Sequence, residues 1–165
     1  MMPKFDYNCA KCAAFCCIAL QFSEEDHFPY DKEKDVPCKH LDDCFSCTVH
    51  TELNERGYQG CIDFSCHGAG PHLTQLYAKE DWQFNPEKTQ EVYEKFHFLR
   101  AVFEIAETTE TVLKKNKIKS KPLMIDFFRM VGTAQKVPSV EDYAACNAFT
   151  EEWTRKTRSF IAKNT

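Results

Sequence analysis

The chain has 165 residues with 25 acidic and 21 basic side chains, a net charge of −4 and ten cysteines. That length suits one domain, or one with a small satellite, and can bury a real core; 14 Phe, 6 Tyr and 2 Trp argue against disorder. No apolar run reaches the ~18 residues of a membrane span, and no basic patch supports binding nucleic acid by phosphate neutralisation.

The first element is the stretch CAKCAAFCC, residues 9–17. If it is helical, Cys12 and Cys16 fall within about 60° of Cys9, so three thiols share a face while Cys17 points elsewhere. If Cys9–Cys12 is instead a tight knuckle, both sulfurs can still reach one ion. The segment AAFCCIAL (13–20) resembles a secretion signal only superficially. An Asp and two cysteines lie in the residues before it and no A-x-A site follows, so the expectation is a cytoplasmic protein with reduced thiols.

Turn formers dominate FPYDKEKDVPC (28–38) and ERGYQG (55–60), which predicts loops, short strands and a short helix at each end of this half. Two further cysteine clusters interrupt it. CKHLDDCFSCTVH (38–50) supplies Cys38, a second C-x-x-C at Cys44 and Cys47, and His50 three residues on. GCIDFSCHGAG (60–70) supplies Cys61, Cys66 and His67. Close pairs from one turn, joined by donors from a distant segment, are the format of metal sites. Nine cysteines with His40, His50 and His67 exceed the four donors of one tetrahedral ion, which suggests two ions, or one cluster and one ion. His50 is the best placed of the imidazoles. The expected partition puts Cys9, Cys12, Cys16 and Cys17 with Cys38, and leaves Cys44, Cys47, Cys61 and Cys66 to share the rest.

Residues 1–72 carry 6 basic and 12 acidic side chains, and residues 73–165 carry 15 and 13. Thiolates buried in the acidic half need a compensating cation. Structural zinc is the first expectation. An iron–sulfur cluster, a thiol redox switch, a copper(I) handling site and a disulfide framework stay open.

The second half is helical. FNPEKTQ (84–90) is a start signal, with Asn85 as N-cap and Pro86 in the first turn. Val92, Phe96, Leu99, Phe103, Ala106 and Leu113 then mark one apolar face of a helix over 86–115. Ser120 and Pro122 open a second helix, with Leu123, Phe127, Met130 and Val131 inward. Ser139 with Asp142 reads as a capping-box variant before a third helix to about residue 163, with Tyr143, Cys146, Trp153 and Phe160 on its stripe. Cys146 belongs to the core rather than to a site. No nucleophile–base pair or nucleotide loop stands out, so the chain leans away from catalysis. The fold class is mainly α: an irregular, cysteine-rich, metal-stabilised N-terminal half (1–72) packed on a C-terminal bundle of about three helices (73–165).

C-x-x-C-x-x-x-C-C, then PC-x-HL, C-x-x-H, RG-x-x-GC and C-H-GAG together resemble the bacterial cysteine-cluster proteins described as zinc- or iron-chelating. The likeness is greatest to the domain found ahead of pentapeptide repeats, and it covers residues 9–113. The basic family pattern has two residues, not three, between its second and third cysteines. This chain continues into helices where the subset has five-residue repeats, so roles tied to the repeats do not carry over. The resemblance implies chelation by Cys9, Cys12, Cys16, Cys17, Cys38, Cys47, Cys61 and Cys66. Cys44 and His50 join the candidate set on spacing. A protein partner is conceivable, with no role for nucleic acid or membrane.

Overall fold

A computed structural model describes residues 5–165; the first four residues of the predicted 1–72 region lie outside the described residues. The fold is mainly α. Its helices are α1 (Phe15–Ile18), α2 (Gln59–Asp63), α3 (Ala69–Leu76), α4 (Pro86–Lys115), α5 (Lys121–Met130) and α6 (Tyr143–Asn164). The predicted short strands shrink to two isolated antiparallel bridges, Phe22 with Lys32 and Leu41 with Cys47.

Helix α4 organises the rest. Its start follows the sequence signal: Asn85 Oδ1 accepts from the Lys88 N–H at 3.1 Å, and Pro86 needs no partner for a missing donor. Val92, Phe96, Leu99, Phe103 and Ala106 are fully buried and Leu113 nearly so. Glu91 reaches the buried Lys95 at 2.6 Å, and on the outer face Glu110 reaches Lys114 at 3.0 Å, both i,i+4 pairs. The helix ends on Lys117, held in the left-handed region (φ 60°), with Ile118 N–H donating to Leu113 C=O at 2.9 Å.

Helices α5 and α6 close over one side of α4. Phe127 lies 5.2 Å from Phe103 and 5.1 Å from Trp153, ring centre to ring centre. Ser120 occupies the start of α5, but its hydroxyl donates to Glu110 instead of capping the helix. The cap of α6 is Asp142 alone, which accepts from the Ala145 N–H at 2.9 Å; Ser139 accepts from Glu141 and takes no part in a capping box. Tyr143 is exposed, because the first residue after the cap overhangs the end of the bundle, and Phe149 fills the inward position instead.

Helix α3 and the turn at Trp82–Phe84 cover the other side of α4. Phe15 of α1 is fully buried and stacks on Phe96 at 5.1 Å and on Trp82 at 5.6 Å. The irregular half is thus pinned to the long helix through α1 and α3. The compositional boundary at residue 72 falls inside α3.

Candidate functional site

The CAKCAAFCC stretch is neither one helix nor one knuckle. Cys9–Lys11 forms a 3-10 turn closed by Cys12 N–H on Cys9 C=O at 3.0 Å, with Asn8 Oδ1 accepting from the Ala10 N–H. Ala14 then adopts φ 54° and breaks the chain direction before α1 begins. The turn is tied to α3: Ala13 N–H donates to Thr74 Oγ1 at 2.9 Å, and that hydroxyl donates to Gly70 C=O at 2.9 Å. Gly70 is where two thiols converge. A methyl group there would meet Cys12 Sγ at 2.7 Å and Cys66 Sγ at 3.7 Å. Cys66 leads into α3, and its carbonyl accepts from the Ala69 N–H. Cys16 joins this set: Cys12 and Cys66 are among the charges acting on it. Cys66 and Cys17 both act on Cys9, and Cys17 is the strongest neighbour of Cys16, so Cys9, Cys12, Cys16 and Cys66 form a first group that is continuous with Cys17.

Cys17 faces the second group. Cys38 N–H donates to Cys17 C=O at 2.8 Å, and Cys61 has Cys17, Cys38 and Cys47 as its electrostatic neighbours. Cys61 sits on α2, which rides on the 26–28 turn. Gly60 N–H donates to His27 C=O, and a methyl on Gly60 would strike the Phe28 ring at 2.2 Å. The two groups meet where Cys16 Sγ and Cys17 Sγ are 3.9 Å apart.

Against the expected partition, Cys17 and Cys38 neighbour Cys47 and Cys61, and Cys66 neighbours Cys12, while Cys17 also neighbours Cys9 and Cys16 and joins the two neighbourhoods. Cys44 stands apart. Asp42 Oδ1 accepts from the Cys44 and Ser46 N–H groups, which puts Cys44 at the exposed tip of a tight turn while Cys47 returns inward. His50 is exposed at the start of the turn 50–52. His40 packs edge-on against Tyr58 at 5.4 Å. His67 Nδ1 lies 2.7 Å from Glu107 Oε2, and Tyr7 hydrogen-bonds the other oxygen of that carboxylate. Cys146 donates to Ser139 C=O, far along the chain from both groups.

All ten cysteines are free thiols. Among the described residues, no three or more His, Cys, Asp or Glu side chains are drawn together tightly enough to hold a metal ion. Both groups are gathered sets rather than closed coordination shells. Burial pushes the Cys12 thiol up to about 11 and, with the charges of Cys17, Cys38 and Cys47, the Cys61 thiol up to about 12. Burial likewise raises Cys9 and Cys47, while Cys16 rises because it gives its proton toward Cys17. That hydrogen bond lowers Cys17; burial opposes the effect and the Lys32 ammonium adds to it. Thiols raised in this way are neutral near pH 7 and ionise together only against a cation.

Two features around the second group carry no signal in the sequence. Cys38 Sγ accepts hydrogen bonds from Tyr30 Oη at 3.1 Å and from the His40 N–H at 3.5 Å. Lys32 is buried, although it stands in a run of charges that reads as a solvated loop.

No family model matches the chain, and no solved structure matches it. It is 31% identical over 99 residues to YybG, an uncharacterized protein of Bacillus subtilis (strain 168). The match covers 59% of this chain and 36% of that relative, so the chain spans well under half of the relative's length. No helix among the described residues is long and apolar enough to cross a membrane.

Proposed function

We propose that this chain is a cytoplasmic metal-binding protein that holds two zinc ions, one in each four-cysteine group, and acts through interactions rather than catalysis. One observation carries the reading: eight cysteines from separated segments share one region, with Cys12 and Cys66 both against Gly70, Cys38 bonded through the backbone to Cys17, and Cys16 Sγ 3.9 Å from Cys17 Sγ, which is enough donors for two tetrahedral structural sites. The raised thiols support it further, since a bound cation is what would ionise them together. The cysteine motifs also support, as a proposal, membership in the cysteine-cluster family.

A second reading is favoured by the two hydrogen bonds to Cys38 Sγ, which are of the kind that tune iron–sulfur clusters. Elemental analysis with a visible spectrum, on protein purified anaerobically without added metal, separates the two. Two zinc per chain and no colour fits the first reading. Iron with acid-labile sulfide replaces it with the second, and a metal-free, folded protein refutes both.

A further inference from the structure

Gly70 is where the fold leaves room for two sulfurs from distant parts of the chain. A methyl group on its Cα would meet Cys12 Sγ at 2.7 Å, Cys66 Sγ at 3.7 Å and the Phe96 ring at 3.9 Å. Both thiols therefore lie against one backbone position, and both cysteines pack on the hydrophobic core. Their backbones are held there from either side. Ala13 N–H donates to Thr74 Oγ1 at 2.9 Å and Thr74 donates to Gly70 C=O at 2.9 Å, which ties the residue after Cys12 to α3. Cys66 C=O accepts from the Ala69 N–H at 2.9 Å, which fixes Cys66 to the first turn of the same helix.

Other nearby thiols are poorer partners for a sulfur–sulfur bond. Cys16 Sγ and Cys17 Sγ are 3.9 Å apart. Neighbouring Cα atoms, however, are about 3.8 Å apart, short of the roughly 4.4–6.8 Å that an unstrained disulfide spans. Cys9 is exposed and directs its thiol to the Tyr7 carbonyl at 3.8 Å. Cys44 stands at the exposed tip of its turn.

We propose that Cys12 and Cys66 form a reversible disulfide, a modification site for low-molecular-weight disulfides that locks the Cys9–Lys11 turn onto α3. In the first step the thiolate of one cysteine attacks a sulfur of glutathione disulfide. A mixed disulfide forms, and one glutathione leaves as thiolate and takes up the proton that the cysteine gave up. The second cysteine, as thiolate, then attacks the protein sulfur of the mixed disulfide and releases the other glutathione, which takes the second proton. Two electrons pass from the cysteine pair to the glutathione disulfide. The bond needs no bound metal. An ion held by either sulfur is released as the bond forms, so oxidation and metal binding exclude each other at these two residues.

The test treats the full-length protein, as purified, with glutathione disulfide. Remaining thiols are alkylated in acid, and cross-linked peptides are mapped by mass spectrometry. A parallel sample is oxidised in urea. Trypsin cuts at Lys11 and separates Cys9 from Cys12, and fragment spectra place the bond among Cys12, Cys16 and Cys17. In the folded protein the Cys12–Cys66 cross-link is expected to be the main one made by either residue, reversed by dithiothreitol. In urea loop-closure entropy favours partners close in sequence, so Cys12 should pair with Cys9 or Cys16 and the Cys12–Cys66 yield should fall by about tenfold or more. Cys12→Ser should remove the cross-link to this peptide from Cys66; its persistence would assign the bond to Cys16 or Cys17 and overturn the proposal. A main bond from Cys12 to Cys9, both residues capped by glutathione or still alkylated, or equal yields in folded and urea samples would overturn it too. If Cys12→Ser does not fold, the wild-type fragment spectra still decide. Zinc counted in the same samples before oxidation reports on the metal reading separately.

Discussion

Gly70→Ala probes the geometry of the first group without removing a donor. The new methyl would sit 2.7 Å from Cys12 Sγ and 3.7 Å from Cys66 Sγ. Ordinary contacts need about 3.5–4.0 Å, so Cys12 Sγ must retreat by roughly 1 Å. A metal site accepts ligand distances only within about 0.2 Å of ideal, so a displacement of that size opens the shell. In the metal-free protein Cys12 can rotate away, and alanine's better helix propensity in α3 offsets the crowding by up to about 1 kcal/mol. In the loaded protein the crowding acts in full, at about 1–3 kcal/mol. For a chain of this size that lowers Tm by about 2–12 °C. The assay is zinc per chain alongside thermal unfolding of loaded and metal-free protein. One zinc lost, with a Tm drop confined to the loaded form, is expected. Two zinc retained at unchanged Tm would refute the convergence of Cys12 and Cys66 on one ion.

Cys61→Ser should cost one metal of two, whereas Cys44→Ser and Cys146→Ala should cost none; loss of metal in either of the latter would show that the tip of the 42–46 turn or α6 supplies a ligand. A strong zinc chelator should shift the emission of Trp82, which stacks near Phe15, and spare Trp153, which packs on Phe127, while most helical signal persists. Single-tryptophan variants read the two separately, and parallel shifts of both would contradict the packing described. Lys117→Gly should stabilise by about 0.5–1 kcal/mol in urea denaturation, because glycine accepts the φ of 60° without the strain a lysine bears there. His72 is half-buried beside Phe103 and Phe128, and desolvation lowers its imidazole below the ordinary value of 6.5. The unfolded chain then binds this proton more readily, so the contribution of neutral His72 is present above about pH 6.5 and is lost as pH falls below it. An NMR titration placing His72 at or above 6.5 would reverse that sign.

The helical half was legible because its signals are local. Asn85 and Pro86 start α4, a period of three to four residues places Phe96, Leu99 and Phe103 inward, and each stands where those rules put it. The misjudged positions are at ends. Tyr143 continues the α6 period but has no bundle opposite it, and Ser139 lies one turn too early to cap. In the cysteine half, spacing identified the residues and could not sort them. The 100° rotation that would set Cys17 apart from Cys9, Cys12 and Cys16 holds within α1 alone, because Ala14 at φ 54° breaks the stretch before it. What Cys17 turns toward depends on long-range contacts: the Cys38 N–H bond to Cys17, and α2 lying on the 26–28 turn. Cys44 sits at a turn tip for a local reason that the C-x-x-C spacing masks: the Asp42 side chain two residues earlier accepts from the Cys44 and Ser46 N–H groups. The buried Lys32 is hidden because its partners are backbone carbonyls that any sequence offers.

The four residues of α1 explain how so irregular a half holds to the helices. A helix of one turn is far below the length that stands alone in water, so tertiary contacts must fix it. Its successive side chains leave in different directions. Phe15 enters the core against Phe96 and Trp82, Cys16 joins the first thiol group, Cys17 joins the second, and Ile18 is buried while its carbonyl holds Lys32. Cys16 and Cys17 are thus one and two residues from the aromatic wedge that anchors the half to α4. An ion drawn to either group would act on the same short turn, and a shift of that turn moves Phe15. The link from thiols to core runs through α1 and through α3, where Cys12 and Cys66 pack against the core at Gly70. That is why loops as long as 28–38 can lie outside the core while the cysteines at their ends remain in register.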